Sequence, residues 1–195
     1  MSKVILDVSM SLDGFIAGPN DSLEQPLGEN GHLLVAWFFG EQSEADAAIA
    51  RETGDSTGAY VIGRRMYDIG EGPNGWGDGG PNGAVPVFVL CHDPRESFTK
   101  ESGTTFSFVS DGIVSALDGA KAAAGDKDVL LMGANIAQQY LKAGLVDEML
   151  IHLVPVLLGG GLRIFDHLGP SHIALERAKV VESTATTHLR YRVPR

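Results

Sequence analysis

The stretch VLLMGANIAQQYLKAGLVDEML, residues 129–150, decides how the rest of the chain reads. The apolar run 129–132 has the composition of a buried strand, and Gly133 and Ala134 follow as a turn small enough to leave room for a ligand. From Ala134, the residues Ile136, Ala137, Tyr140, Leu141 and Ala143 recur at helical spacing, so a helix opens from the turn with its unpaired N–H groups facing whatever sits there. Such a turn holds an anion, or it serves tight packing alone. A second turn of the same form, VIGRRMY at residues 61–67, favours the anion. There Gly63 is followed by Arg64 and Arg65, which set guanidinium groups beside helix N–H donors at the carboxyl end of a strand, where open α/β sheets bind their ligands.

The chain has 195 residues, enough for one sizeable core, and a single domain over 1–195 is expected. A net charge of −10 and scattered basic residues argue against a nucleic-acid surface. No apolar run approaches membrane-spanning length, the N-terminus enters a strand pattern at once, and Cys91 is the only cysteine. These features point to a cytoplasmic protein without membrane attachment or an internal disulfide.

Strand patterns fall at residues 4–9, 59–62, 86–91, 105–109, 128–132, 148–155, 175–183 and 187–193, and helical patterns at 41–52, 64–69, 113–124 and 134–143. Their alternation predicts an α/β fold with a mixed sheet covered on both faces, and the last two strands form an antiparallel edge hairpin. Residues 17–31 and the segment GEGPNGWGDGGPNG, 70–83, are loops. Trp76 either tethers the second loop to the body or closes over a ligand. The strand PVFVLCHDP brings Cys91 and His92 to the strand end beside the two arginines. In MLIHLVP, alternation sets His152 in an otherwise apolar row, where it is either a satisfied histidine or a pocket residue. Trp37 and Phe38 are either buried aromatics or stacking partners for a flat heterocycle. No metal-ligand cluster, phosphate-binding P-loop or nucleophile signature is present in the sequence.

The order SMSLDGFIAG, VIGRRMYD, VLCHDP, LLMGANIAQQYLKAGLVDEM and LVPVLLGGGLRIFD resembles the dihydrofolate reductase-like superfamily, and within it the group named for the RibD C-terminal domain, the reductase part of the bifunctional riboflavin-biosynthesis enzyme. The resemblance covers nearly the whole chain. It implies a dihydrofolate reductase-like fold with a central mixed sheet of about eight strands, NADPH as hydride donor and a homodimer. By position, Gly63, Arg64, Arg65 and Met66 match the turn that holds the adenosine 2′-phosphate, with Cys91 and His92 nearby. Gly133, Ala134, Asn135 and Ile136 match the pyrophosphate turn, preceded by Met132 where the riboflavin-pathway group usually has a glutamate. Val8, Ser9, Ile16 and Ala17 match the surroundings of the nicotinamide. Asp13 lies in the same segment, either as a turn former or on the substrate side with Trp37 and His152.

Dihydrofolate reductases carry a carboxylate on the helix before the GR turn. Here Glu44 and Asp46 lie on that helix at spacings that do not superpose, read as solvated charges, and neither is assigned a role; the proton donor is left open. The chain also lacks the zinc-binding deaminase module of the bifunctional enzyme. The implied activity is NADPH-dependent reduction of a small heterocycle, with 5-amino-6-(5-phosphoribosylamino)uracil reductase as the precedent. A dihydrofolate or pterin reductase and a non-catalytic NADPH-binding sensor or carrier are the alternatives. The apolar segment HLVPVLLGGGLRIFDHLG, with Val154, Val156, Leu157, Leu158, Leu162, Ile164, Phe165 and Leu168, is expected to supply the dimer contact unless the final hairpin covers it.

Overall fold

Period-two runs form strands and amphipathic runs form helices close to where the patterns place them, in a computed structural model that describes residues 2–170 and 172–194. The elements are β1 (Val4–Ser11), β2 (Phe15–Ala17), a 3₁₀ turn (Gly31–Val35), α1 (Ala36–Phe39), α2 (Glu44–Ser56), β3 (Thr57–Gly63), α3 (Arg64–Gly70), β4 (Val87–Leu90), β5 (Phe98–Thr99), β6 (Thr105–Val109), α4 (Ile113–Ala124), β7 (Asp128–Met132), α5 (Ala134–Lys142), β8 (Glu148–Val154), β9 (Leu162–Arg163), β10 (Glu176–Glu182) and β11 (Thr187–Arg192).

Nine strands join in one sheet in the order β10-β11-β8-β1-β7-β3-β4-β6-β5. From β8 to β6 all pairings are parallel, and β11, β10 and β5 run antiparallel to their neighbours. The sheet exceeds the expected count because β5, only two residues long, is too short to show a period. For the same reason β2 and β9 escape the pattern, and they pair as a separate small sheet. Helix α2 begins later than its charge pattern implies, because Ser43 caps it in a reciprocal pair with Asp46 and so sets its first turn.

Alternation along β1 sends Val4 and Leu6 to one face and Ile5 to the other. The first face is packed with Val129 and Leu131 under Leu117, Ile136 and Tyr140, from α4 and α5. The second carries Tyr60, Ile62, Leu130 and Leu150 under Ile49 of α2 and Tyr67 of α3. Trp76 is a tether: its ring lies so close to Gly70 that a Cβ there would clash with it, and it stacks on Phe106. Lys100 reinforces the same loop through Glu71 and the Gly77 carbonyl.

The apolar segment after β8 is less open than its composition implies. Ile164 is fully buried and Val154 nearly so, while Leu157, Leu162 and Phe165 stay exposed at 70%, 41% and 39%. Tyr140, itself fully buried, donates its hydroxyl to the Ile113 carbonyl at 2.6 Å and so ties α5 to the start of α4. Tyr140→Phe leaves that carbonyl without this donor and is expected to cost about 1–2 kcal/mol in urea denaturation. An unchanged midpoint and slope would show that the bond contributes nothing to the packing of the two helices.

Candidate active site

Strand β1 pairs with β7 only from Val4 to Leu6, whereas its pairing with β8 continues to Ser11. Its carboxyl half therefore outruns β7. The connection leaving β1 leads to α2 on one face of the sheet, and the connection leaving β7 leads to α5 on the other. Adjacent parallel strands whose exits diverge in this way open a crevice at their carboxyl ends. Val8 and Ser9 form one wall, half-buried, and Met132 and Gly133 stand across from them.

The two small-residue turns lie side by side at this crevice, because Ile62 of β3 is in register with Met132 of β7. Gly133 takes φ 95° and ψ 144°, a conformation strained for any L side chain, and a Cβ built on it meets nothing within 4 Å. No side chain caps the start of α5. An uncapped helix start beside the open space at Gly133 suits an anion. Ala134 and Ile136 are buried beneath the turn, and Asn135 points outward. At the neighbouring turn, Gly63 lies against Ile136, Met66 is half-buried, Arg64 pairs with Asp68 at 2.8 Å, and the exposed Arg65 pairs with Asp21 at 2.6 Å. Cys91 is half-buried at the end of β4 with its N–H on the Val109 carbonyl, and His92 is exposed beyond it.

The rim is built by Asp13. Its carboxylate accepts from the Ser11 hydroxyl at 2.6 Å and from the N–H groups of Leu158 and Gly159 at 3.1 and 2.8 Å. Both oxygens are thereby engaged in fastening the turn after β1 to the LLGGG loop. Arg163 donates to the Asp13 carbonyl and lies over the Phe15 ring, and the Gln138 amide of α5 reaches the carbonyls of Arg163 and Ile164. Ile16 and Ala17 lie on β2, half-buried and buried respectively, and β2 pairs with β9 inside this frame. The Ser11 hydroxyl, helped by the two loop amides against partial burial, holds the Asp13 carboxyl well below its usual range, at about 2.

On the α2 side of the crevice, four titratable side chains form a continuous chain. Asp7 Oδ1 lies 2.8 Å from His152 Nε2, His152 Nδ1 lies 2.7 Å from His188 Nδ1, and His188 Nε2 lies 2.9 Å from Asp46 Oδ1. The register that sets His188 of β11 opposite His152 of β8, beside Ser9 of β1, brings them together. Trp37 covers the pair, its ring 4.3 Å from His152 and 4.9 Å from His188, and its indole N–H donates to the Ser9 hydroxyl. Phe38 stays exposed.

Asp46 is thus no solvated charge: it is buried, whereas Glu44 two residues earlier is exposed. Burial raises the Asp46 carboxyl, but hydrogen bonds from Ser43, Ser183 and His188 outweigh it and hold the group below its ordinary value. Burial pushes His188 the opposite way to its carboxylate partner and prevails, so its imidazole lies below its ordinary value. Sequence reasoning missed Asp46 and His188. The capping spacing Ser43-x-x-Asp46 was a visible signal for the first, and none existed for the second without the β8–β11 register.

Among the described residues no group of histidine, cysteine or carboxylate side chains is arranged to hold a metal ion, and no helix is long and apolar enough to cross a membrane. Two hollows lie away from the crevice. One, about 680 Å³, is lined by Ser43, Glu44 and Thr184; the other, about 390 Å³, is apolar and is lined by Leu141, Met149, Phe165 and Ile173. Neither brings together the polar groups found at the crevice.

A mostly parallel sheet with a crevice of this construction defines a dihydrofolate reductase-like α/β fold. The RibD C-terminal domain model matches residues 2–189, and the chain belongs to that family. It is similar to a putative riboflavin biosynthesis protein from Shewanella sp. PV-4, with 24% identity, a TM-score of 0.71 and 99% of each chain covered. Acinetobacter baumannii RibD superposes with a TM-score of 0.63 at 16% identity, over the whole of this chain and 58% of that one. Dihydrofolate reductase from Enterococcus faecalis, in complex with NADP(H) and RAB-propyl, superposes with a TM-score of 0.58 at 14% identity over 99% of this chain and 97% of that one. By sequence, the chain is 23% identical over 172 residues to the uncharacterized protein YyaP of Bacillus subtilis, covering 84% of this chain and 80% of that protein.

The Asp13 clamp carries a pH signature. Its folded-state value of about 2 lies below the ordinary 3.8, so its contribution to stability is full above the latter and is lost as pH falls through the former. Asp13→Asn is expected to melt at a lower temperature than the parent at neutral pH, with the difference closing toward the acid end. Equal melting temperatures at neutral pH would show that the clamp does not stabilise the rim.

Proposed function

We propose that this protein is an NADPH-dependent reductase that transfers hydride to a carbon–nitrogen or carbonyl bond of a small heterocycle. One observation carries the reading: two small-residue turns on paired parallel strands open into the crevice where β1 outruns β7. The residues fit the nucleotide. The uncapped start of α5, with open space over Gly133, suits a pyrophosphate held by the N–H groups of Ala134, Asn135 and Ile136, with Met132 beneath it. Arg64 and Arg65, with Gly63, Met66, Cys91 and His92 around them, suit the 2′-phosphate that distinguishes NADPH from NADH. Both arginines are held by partly exposed ion pairs of modest strength, which a phosphate dianion, carrying more charge than Asp68 or Asp21, is suited to replace.

When bound, the nucleotide supplies the hydride. The protein supplies placement and shielding. Val8, Ser9, Ile16 and Ala17 exclude water from the reacting carbons, and the clamped Asp13 turn holds the LLGGG loop over the same end of the crevice. The substrate side is bounded by Asp7, with the buried Trp37 and His152 behind it. A ribosylamino-pyrimidine phosphate is the precedent in the family; a pterin is the second reading, supported by the likeness to a dihydrofolate reductase complexed with NADP(H). The reading also includes a cytoplasmic homodimer, joined through the exposed Leu157, Leu162 and Phe165.

Binding and turnover test the proposal. NADPH should bind more tightly than NADH, Arg64→Ala should weaken NADPH by about tenfold to a hundredfold, and a panel of pterins and ribosylated pyrimidines should contain a substrate that consumes NADPH. Equal affinity for the two nucleotides would reject the role of the arginines. Tight binding with no consumption would favour a sensor or carrier. Light scattering at micromolar concentration should give twice the 20.7 kDa chain mass, and a monomer would reject the assembly.

A further inference from the structure

The chain Asp7–His152–His188–Asp46 has three hydrogen bonds, and each needs a proton. Two neutral imidazoles between two carboxylates supply only two. If both rings gave their Nε2 protons to the carboxylates, the two Nδ1 lone pairs would face each other at 2.7 Å in a buried site, which is repulsive. A metal does not resolve the conflict, since two nitrogen ligands on a tetrahedral ion stand about 3.3 Å apart. The arrangement is consistent only with a third proton shared along the chain. Access to it is one-sided. The side chains of His188, Asp46 and His152 are 1%, 2% and 4% exposed, Trp37 covers the rings, and only Asp7, at 18%, reaches the surface. Asp7 is two residues before Ser9 on β1, on the same face, and so meets the crevice.

We infer that this chain is the proton source of the active site, with Asp7 as the catalytic acid and His152, His188 and Asp46 as the residues that load and position its proton. The inference rests on the reductase reading. Hydride addition places an electron pair on the substrate heteroatom. The His152 Nε2 proton passes to the Asp7 carboxylate, and the acid so formed gives its proton to that heteroatom. His152 is left neutral with its proton on Nδ1, donated to His188, and solvent restores the missing proton through Asp7. His152 is the ring bonded directly to Asp7, so a proton leaving the chain leaves from its Nε2. The other charged or titratable groups facing the chain are Tyr60 of β3, beside Asp7, and Arg190 of β11, which is paired with Glu52 and Glu148.

The test combines histidine ¹⁵N spectra of the whole protein with single-turnover reduction followed across pH. The parent should show a far-downfield, exchange-protected proton on Nδ1 of the histidine pair, and a hydride-step rate that falls as that proton is lost with rising pH. Asp46→Asn removes one of the two charges that retain the proton, so both transitions should move down by about one unit or more. Asp7→Asn removes the other, so it should also move the loss of the downfield proton to lower pH, while keeping NADPH affinity and slowing the hydride step about a hundredfold or more at every pH. Two neutral imidazoles with no proton between them at neutral pH would overturn the inference. So would a pH profile unmoved in both variants, and that result would leave the reductase reading standing. A parent that shows the downfield proton but reduces nothing in the panel would instead overturn the reductase reading, and the relay's catalytic role with it, while leaving the three-proton chain intact.

Discussion

Parallel pairing of β1 with β7 stops at Leu6, while pairing with β8 on the other side runs on to Ser11, and this inequality organises the molecule. Had β7 been four residues longer, its main chain would occupy the space that the crevice now provides. The strand ends at Met132 because Gly133 turns the chain with a positive φ that lets α5 start at once, toward one face of the sheet. The exit from β1 goes to the other face. The two turns, the nucleotide cradle assigned to them and the histidine chain all lie around the gap that remains.

Different kinds of interaction hold the parts of the site. The turns at Gly63 and Gly133 are fixed by the sheet beneath them, through buried residues such as Ile62, Leu131 and Ile136, and need no polar support. The rim is held instead by one carboxylate, since Asp13 gathers a hydroxyl and two backbone amides from segments about 145 residues apart in the chain. The α2 side of the crevice depends on a buried polar network closed by Trp37, in which each member is satisfied by the next. Such a network specifies one arrangement, because removing any member strands a buried partner.

Most of the fold was legible because alternation and helical spacing are strong in β1, β7, β8, α4 and α5. The short strands β2, β5 and β9 were not, since pairing across the chain rather than local pattern creates them. The two glycine turns at the strand ends were legible because a strand, a glycine and a helix occur consecutively in sequence. The histidine chain was not. His152 stood out as a polar residue in an apolar row, but His188 lies in THLRYR among other polar residues, and Asp46 on a helix with a charged face. Only the antiparallel register of β8 and β11, together with the packing of α2 over that face, shows that these residues meet.

The central claim is that a nicotinamide nucleotide occupies the gap between β1 and β7. Amide chemical shifts of the labelled protein, followed while NADPH is titrated, test it most directly. The account predicts saturable shifts concentrated at Gly133, Ala134, Asn135 and Ile136, at Val8 and Ser9, and at Arg64 and Arg65. Shifts confined to the hollow at Ser43, Glu44 and Thr184, or none at all, would contradict it.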